Sequence, residues 1–192
     1  MKKIISLISI VLFLPGCDTN DDISIKTSMI IGDLSTENLF FINIEPDITL
    51  GNFQTKDSSY IDVDNNAVND YMIKTNNIWI QGGLILAYFE VNIYSLSNDA
   101  YILVDSTNNP EVLVLNDTIT INDKWDSGNF VLVKKMNSLV PPFSSYTTTG
   151  NWDNIKESYI GIKSEKDLLG WIKISLTQYG ARIDEYATQM IL

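Results

Sequence analysis

The residues Asp62, Asp64, Asn66, Val68 and Asp70 stand at alternate positions of one short run, Asp62-Val63-Asp64-Asn65-Asn66-Ala67-Val68-Asn69-Asp70. Counted from Asp62, the side-chain oxygens fall in the register of positions 1, 3, 5 and 9 of an EF-hand-type loop, and the Val68 carbonyl stands at position 7. A hard cation such as Ca2+ takes six to eight oxygens, and alternate residues of a tightly wound loop can turn them inward together. Without a cation, three carboxylates would crowd one turn. The match is partial. Ala67 occupies the position usually held by Gly, where a left-handed backbone costs about 1–2 kcal/mol, and Ile73 stands where a bidentate Glu would close the site. The spacing therefore predicts a structural calcium ion held at extracellular affinity, about 10⁻⁴ to 10⁻³ M, by a shortened loop. The same run also suits a metal-free hairpin turn, because Asn and Asp tolerate turn conformations and bond their own backbone.

Other chemistry is thinly represented. The chain has no histidine, which removes the usual general base, the usual zinc ligand and every Ser-His or Cys-His nucleophile pair. Two carboxylates can hydrolyse glycosides, yet Glu90, Asp105, Asp126, Asp153, Glu157 and Asp184 show no spacing that selects a pair, so no catalytic residue is assigned. Trp79, Trp125 and Trp152 each stand within two residues of an Asn or Asp. They are candidates for stacking sugar rings and equally suit a core, where aromatic rings supply most of the buried area.

The N-terminus is an address. Lys2 and Lys3 precede an apolar run from Ile4 to Leu14, followed by Leu14-Pro15-Gly16-Cys17. The run is too short to span a bilayer, which takes about 20 residues, and its order of parts is that of a signal peptide. Gly16 directly before a cysteine resembles a lipoprotein signal sequence. That resemblance implies cleavage of residues 1–16 and a lipid on Cys17; the acidic residues after it resemble surface-export signals, which implies tethering to the outer membrane, facing the periplasm or the outside, while Asp18 also resembles an inner-membrane retention signal. Residues 17–23 then read as an acidic tether. Cys17 is the sole cysteine, so lipidation leaves no thiol for a disulfide or a thiolate metal site. The chain carries a formal charge of −11, and loss of Lys2 and Lys3 makes it more negative still. Such a field repels phosphate backbones, so nucleic acid is an improbable partner; cations, a glycan or another surface protein are the expected ones.

The elements that must position these residues are strands. From Ile23 onward, short β-branched and aromatic runs alternate with Asn, Asp, Gly and Ser, the pattern of an antiparallel all-β fold. Strands are expected within Leu39–Ile44, Ser59–Val63, Tyr71–Thr75, Leu84–Tyr94, Ala100–Asp105, Val112–Leu115, Thr118–Ile121, Asn129–Lys134, Ser158–Lys163, Trp171–Thr177 and Ala181–Tyr186. In Trp171–Thr177, Ile172, Ile174 and Leu176 should face a core, and Trp171, Lys173 and Ser175 the other side. Met136–Asn154, with Pro141-Pro142, reads as the longest loop. The expectation is one β-sandwich or jelly-roll domain over residues 24–192, with a closed barrel as the second choice.

Three pieces of the chain resemble a family of secreted, mostly uncharacterised Bacteroidetes β-proteins. They are Ser59-Tyr60-Ile61-Asp62-Val63-Asp64 with Asn69-Asp70-Tyr71; Tyr159-Ile160-Gly161 with Gly170-Trp171-Ile172-Lys173; and Asp184-Glu185-Tyr186-Ala187. Their order spans about residues 49–189. The resemblance implies a secreted β-sandwich with a calcium-type loop, and Ala67 departs from the glycine usual in that family. It implies no activity. The expected function is a non-catalytic glycan- or ligand-binding module, with a structural or adhesive surface protein as the alternative and a carboxylate glycosidase behind both.

Overall fold

The structure is a computed structural model that describes residues 26–35, 38–51, 56–80, 85–140, 143–178 and 180–190. The candidate lipidation site Cys17 and the tether lie outside them. The described residues form thirteen strands: β1 (Ser28–Ile30), β2 (Leu39–Leu50), β3 (Lys56–Ile61), β4 (Tyr71–Ile80), β5 (Ile85–Ser95), β6 (Tyr101–Leu103), β7 (Thr118–Thr120), β8 (Trp125–Asp126), β9 (Asn129–Val140), β10 (Phe143–Thr149), β11 (Glu157–Lys163), β12 (Leu169–Leu176) and β13 (Ala181–Gln189). One sheet runs β10-β9-β5-β4-β3, a second runs β2-β13-β12-β11-β6-β8, and β1 pairs with β7. All pairings are antiparallel, and the two large sheets pack as a sandwich, not a closed barrel.

Strand alternation explains how the sandwich closes. Ile73, Val91, Ile93 and Val133 from the first sheet meet Ile160, Ile162, Ile172, Ile174 and Ile183 from the second in the main core. The opposite face of the second sheet is covered as well. Tyr159, Leu169, Trp171 and Ala187 form a second cluster with Met29, Ile31 and Ile119 of the β1–β7 ribbon. Trp171, on the side of β12 opposite Ile172 and Ile174, is buried with its ring edge-on to Tyr159 at 5.2 Å, which corrects the reading of β12 as a strand covered on one face only. A strand buried on both faces needs small residues where layers meet. At Gly161 a methyl group would lie 3.0 Å from Leu103 Cβ and 3.2 Å from Leu113 Cδ1.

Two further expectations are corrected. Met136–Asn154 is mainly a hairpin, with β10 pairing β9 from Phe143↔Val140 to Thr149↔Lys134. Its Ser and Thr residues show no apolar alternation because β10 is a sheet edge, where Ser145, Tyr146 and Thr147 are all exposed. Val112–Leu115 is not a strand; Leu113 alone bridges to Tyr159, and Val114 and Leu115 are exposed. In β9 the pairing steps from Val91↔Val133 to Asn92↔Val131, and the bulge leaves neighbouring Leu132 and Val133 both buried. The chain after β10 crosses this bulge. Gly150, at φ +90°, sits so close that a Cβ would meet the Leu132 carbonyl oxygen at 2.3 Å, and the Trp152 N–H then donates to that oxygen at 3.1 Å.

Candidate metal centre

The Asp-rich run is the connector of a hairpin. Ile61, the last residue of β3, pairs with Tyr71, the first of β4, and the Asp70 N–H donates to the Ile61 carbonyl at 2.9 Å. The loop 62–70 must therefore begin and end at one place, which is what brings Asp62 and Asp70 together. Val63 is fully buried in the main core and pulls the loop's first turn inward. Two tyrosines fix the loop to the second sheet. The Tyr186 hydroxyl donates to the Asp62 carbonyl at 3.2 Å, and the buried Tyr71 hydroxyl lies 3.0 and 3.1 Å from the carbonyls of Tyr101 and Lys163. Burial raises the pKa of both phenols.

Inside the loop, one oxygen from each of Asp62, Asp64 and Asp70 lies within 4.8 Å of the other two, and all three residues are half-buried. Asp62 accepts the Asn66 N–H at 3.1 Å on one oxygen and the Ala67 N–H at 2.8 Å on the other. Asp64 accepts the Asn66 N–H at 3.2 Å and the Asn66 side-chain amide at 3.0 Å, and Asp70 accepts the Val63 N–H at 2.9 Å. Each carboxylate oxygen has two lone pairs, so these bonds orient the carboxylates and leave acceptor capacity on each. Ala67 takes the left-handed backbone that its place in the loop demands, at φ 66°. Burial raises the pKa of Asp64, and the neighbouring Asp62 carboxylate adds to the rise while the Asn66 donors oppose it. A cation between the carboxylates would relieve that repulsion.

The donor set fits a hard divalent cation in part. Asp62, Asp64 and Asp70 would supply three anionic ligands, and the exposed Val68 lines the same depression. Asn66 fits less well, because its amide oxygen accepts the Val68 N–H at 2.7 Å. A depression beside the loop is lined by Asp64, Asn66, Val68 and Asp70 on one side and by Ser97, Asp99 and Ser164 on the other. Asp99 and Ser164 also line a second depression with Tyr101, Lys163, Lys166 and Asp167. The far wall was not foreseeable from the run itself, since the β5–β6 and β11–β12 connections bring it there.

A second loop has a similar local geometry with a lysine beside it. Asp105-Ser106-Thr107-Asn108-Asn109 repeats the alternate-residue pattern. Asp105 accepts the Thr107 N–H and hydroxyl, each at 2.7 Å, and the Asn109 N–H at 3.1 Å. The Lys124 ammonium donates to the carbonyls of Asp105 at 3.1 Å and Ser106 at 3.4 Å. With one carboxylate among several donors, Asp105 is held at about 2, chiefly by the Thr107 hydroxyl and then by the Asn109 N–H. Asp105 and Asp64 are thus shifted in opposite directions by opposite surroundings.

The three candidate tryptophans do not come together. Trp152 is fully buried in the main core, which corrects its assignment as a sugar platform. Trp125 is half-buried in β8; its indole N–H donates to the Thr120 carbonyl at 3.0 Å, and its ring packs against the Lys163 ammonium at 5.7 Å. That ammonium also lies 5.1 Å from the Tyr101 ring and 2.9 Å from Asp167. Trp79 is in β4 opposite Ala87, toward the end away from the loop. At about 3.3 Å per residue it is roughly 25 Å along the strand from Tyr71. No protein-family model, curated protein or solved structure matches this chain.

Proposed function

We propose that this chain is a lipoprotein of the bacterial cell envelope whose β-sandwich is stabilised by calcium in the loop 62–70 and serves as a non-catalytic ligand-binding module. One observation carries the reading: Asp62, Asp64 and Asp70 converge within 4.8 Å while the loop's own N–H groups orient them. In this proposal the three carboxylates and the Val68 carbonyl hold the ion and water completes its shell, at the extracellular affinity expected of so few protein ligands. The ion contributes stability to the hairpin end of the sandwich and takes no part in catalysis.

The ligand surface best supported is the groove beside that loop, where Asp99 and Ser164 link the carboxylates to Tyr101 and Lys163. A glycan suits it chemically, because hydroxyl groups meet polar side chains along its length and partly exposed Tyr101 and Trp125 stand near one end. A structural or adhesive role is the second reading. It is favoured by the burial of Trp152 and by the Lys163 ammonium packed against the rings of Tyr101 and Trp125. The N-terminal Leu14-Pro15-Gly16-Cys17 supports the envelope address.

Two measurements separate the parts of the proposal. The melting temperature should be several degrees higher in millimolar calcium than in chelator, and Asp64→Ala should abolish the difference; identical melting curves for the unaltered protein would remove the metal. A glycan array should return a ligand whose binding falls on Tyr101→Ala or Trp125→Ala, whereas a blank array would leave the adhesive reading.

A further inference from the structure

The sheet edges are not alike. Among the described residues, β2 carries Glu45, Pro46 and Asp47 in its middle, β3 carries Lys56 and Asp57, and β8 has only two residues. Charge, proline and shortness are the usual devices that stop a sheet edge from recruiting another strand. The β10 edge has none of them. It is seven residues long, Phe143-Ser144-Ser145-Tyr146-Thr147-Thr148-Thr149, and lies within a stretch without a single charged residue from Met136 to Trp152. In a chain with a formal charge of −11, that neutrality sets this edge apart.

We infer that β10 is an interface for a second copy of this chain, pairing antiparallel with its own counterpart about a twofold axis at Tyr146. Sequence symmetry selects this occupant. With Tyr146 opposite Tyr146, Ser145 faces Thr147 in both directions, so the central cross-strand pairs are aromatic–aromatic and hydroxyl–hydroxyl. Both kinds of pair are favourable across antiparallel strands, and a twofold interface requires this self-complementarity. Tyr146 is 62% exposed and available at the centre. Two strongly acidic molecules repel at most faces, and a neutral strand is where their backbones can approach with least opposition. The product is a continuous sheet in which the two copies of β10 are central strands. Such an edge-to-edge contact is small, so the dimer is a weak one.

Cysteine cross-linking and sedimentation of the full-length protein test this together. Tyr146→Cys should form a disulfide dimer on mild oxidation, because directly opposed Cβ atoms lie about 4.5–5.5 Å apart. The unaltered protein and Thr149→Cys should not, since two copies of residue 149 lie about 20 Å apart in this pairing. In detergent sufficient to separate lipid anchors, the unaltered protein should dimerise as concentration rises. Tyr146→Lys, which places like charges on the axis, should weaken that association at least tenfold, and Ser145→Asp with Thr147→Lys should restore it by facing each acid with a base. Near-UV circular dichroism of each variant verifies the fold. Equal cross-linking of Tyr146→Cys and Thr149→Cys, or undiminished dimerisation of Tyr146→Lys, would overturn the inference. Failure of the Asp/Lys pair to dimerise would overturn the antiparallel register.

Discussion

The Tyr186 hydroxyl reaches across the sandwich and donates to the Asp62 carbonyl at 3.2 Å, so the first residue of the Asp-rich loop is tied to the strand β13. The residues are far apart in sequence, and the bond joins the two sheets at the end where the carboxylates gather. Tyr186→Phe removes the bond and keeps the ring. The expected loss is about 1 kcal/mol of stability, measured by urea denaturation, with weaker calcium stabilisation than in the unaltered protein. An unchanged midpoint in both conditions would show that the bond contributes nothing.

Ala67 sits at φ 66° where glycine would be unstrained. Ala67→Gly should raise stability by roughly 0.5–1 kcal/mol, as relief of the left-handed conformation outweighs the greater freedom of the unfolded chain. Denaturation in chelator is the measurement, and the gain should persist when calcium is added.

Asp105 provides a pH prediction. Its folded pKa, about 2, lies below the ordinary carboxylate value of 3.8, so its stabilising contribution is present above the ordinary value and is lost as pH falls toward 2. Carbon-detected NMR titration should place the Asp105 carboxyl midpoint near the lower figure. Asn151→Ala should raise that midpoint, because the Asn151 amide is among the donors.

Trp152 and Trp125 should behave differently on truncation. Trp152→Ala empties a fully buried site and should cost about 3–5 kcal/mol, enough to unfold a marginal domain. Trp125 is only half-buried, and its alanine variant should remain folded by circular dichroism. A glycan-binding loss in Trp152→Ala would therefore report unfolding, whereas a loss in folded Trp125→Ala would report the surface.

The strand pattern was legible wherever a strand has one wet and one dry face or a β-branched run, as in β4 and β5, and in β12 from its alternating isoleucines although both faces are covered. It failed at β10, where Ser145, Tyr146 and Thr147 are exposed on both faces of an edge strand, and at Val112–Leu115, whose apolar residues are strand-like in type while Val114 and Leu115 face outward. The carboxylate cluster was legible because hairpin closure is local: Ile61 pairs with Tyr71, and everything between them must fold back. Its far wall was not, since Ser97, Asp99 and Ser164 arrive from distant connections. Neither was the burial of Trp152, which follows from the Leu132 bulge and the close passage of Gly150, features with no signature in the flanking Asn and Asp.

The pairing of β2 with β13 has a temporal consequence. From Leu50 opposite Ala181 to Leu39 opposite Gln189, the first long strand made waits for the last one. On a ribosome, the consecutive β11, β12 and β13 cannot close against β2 until β13 has emerged. A growing chain would thus hold this edge of β2 open until residues 181–189 follow, by virtue of its connectivity alone.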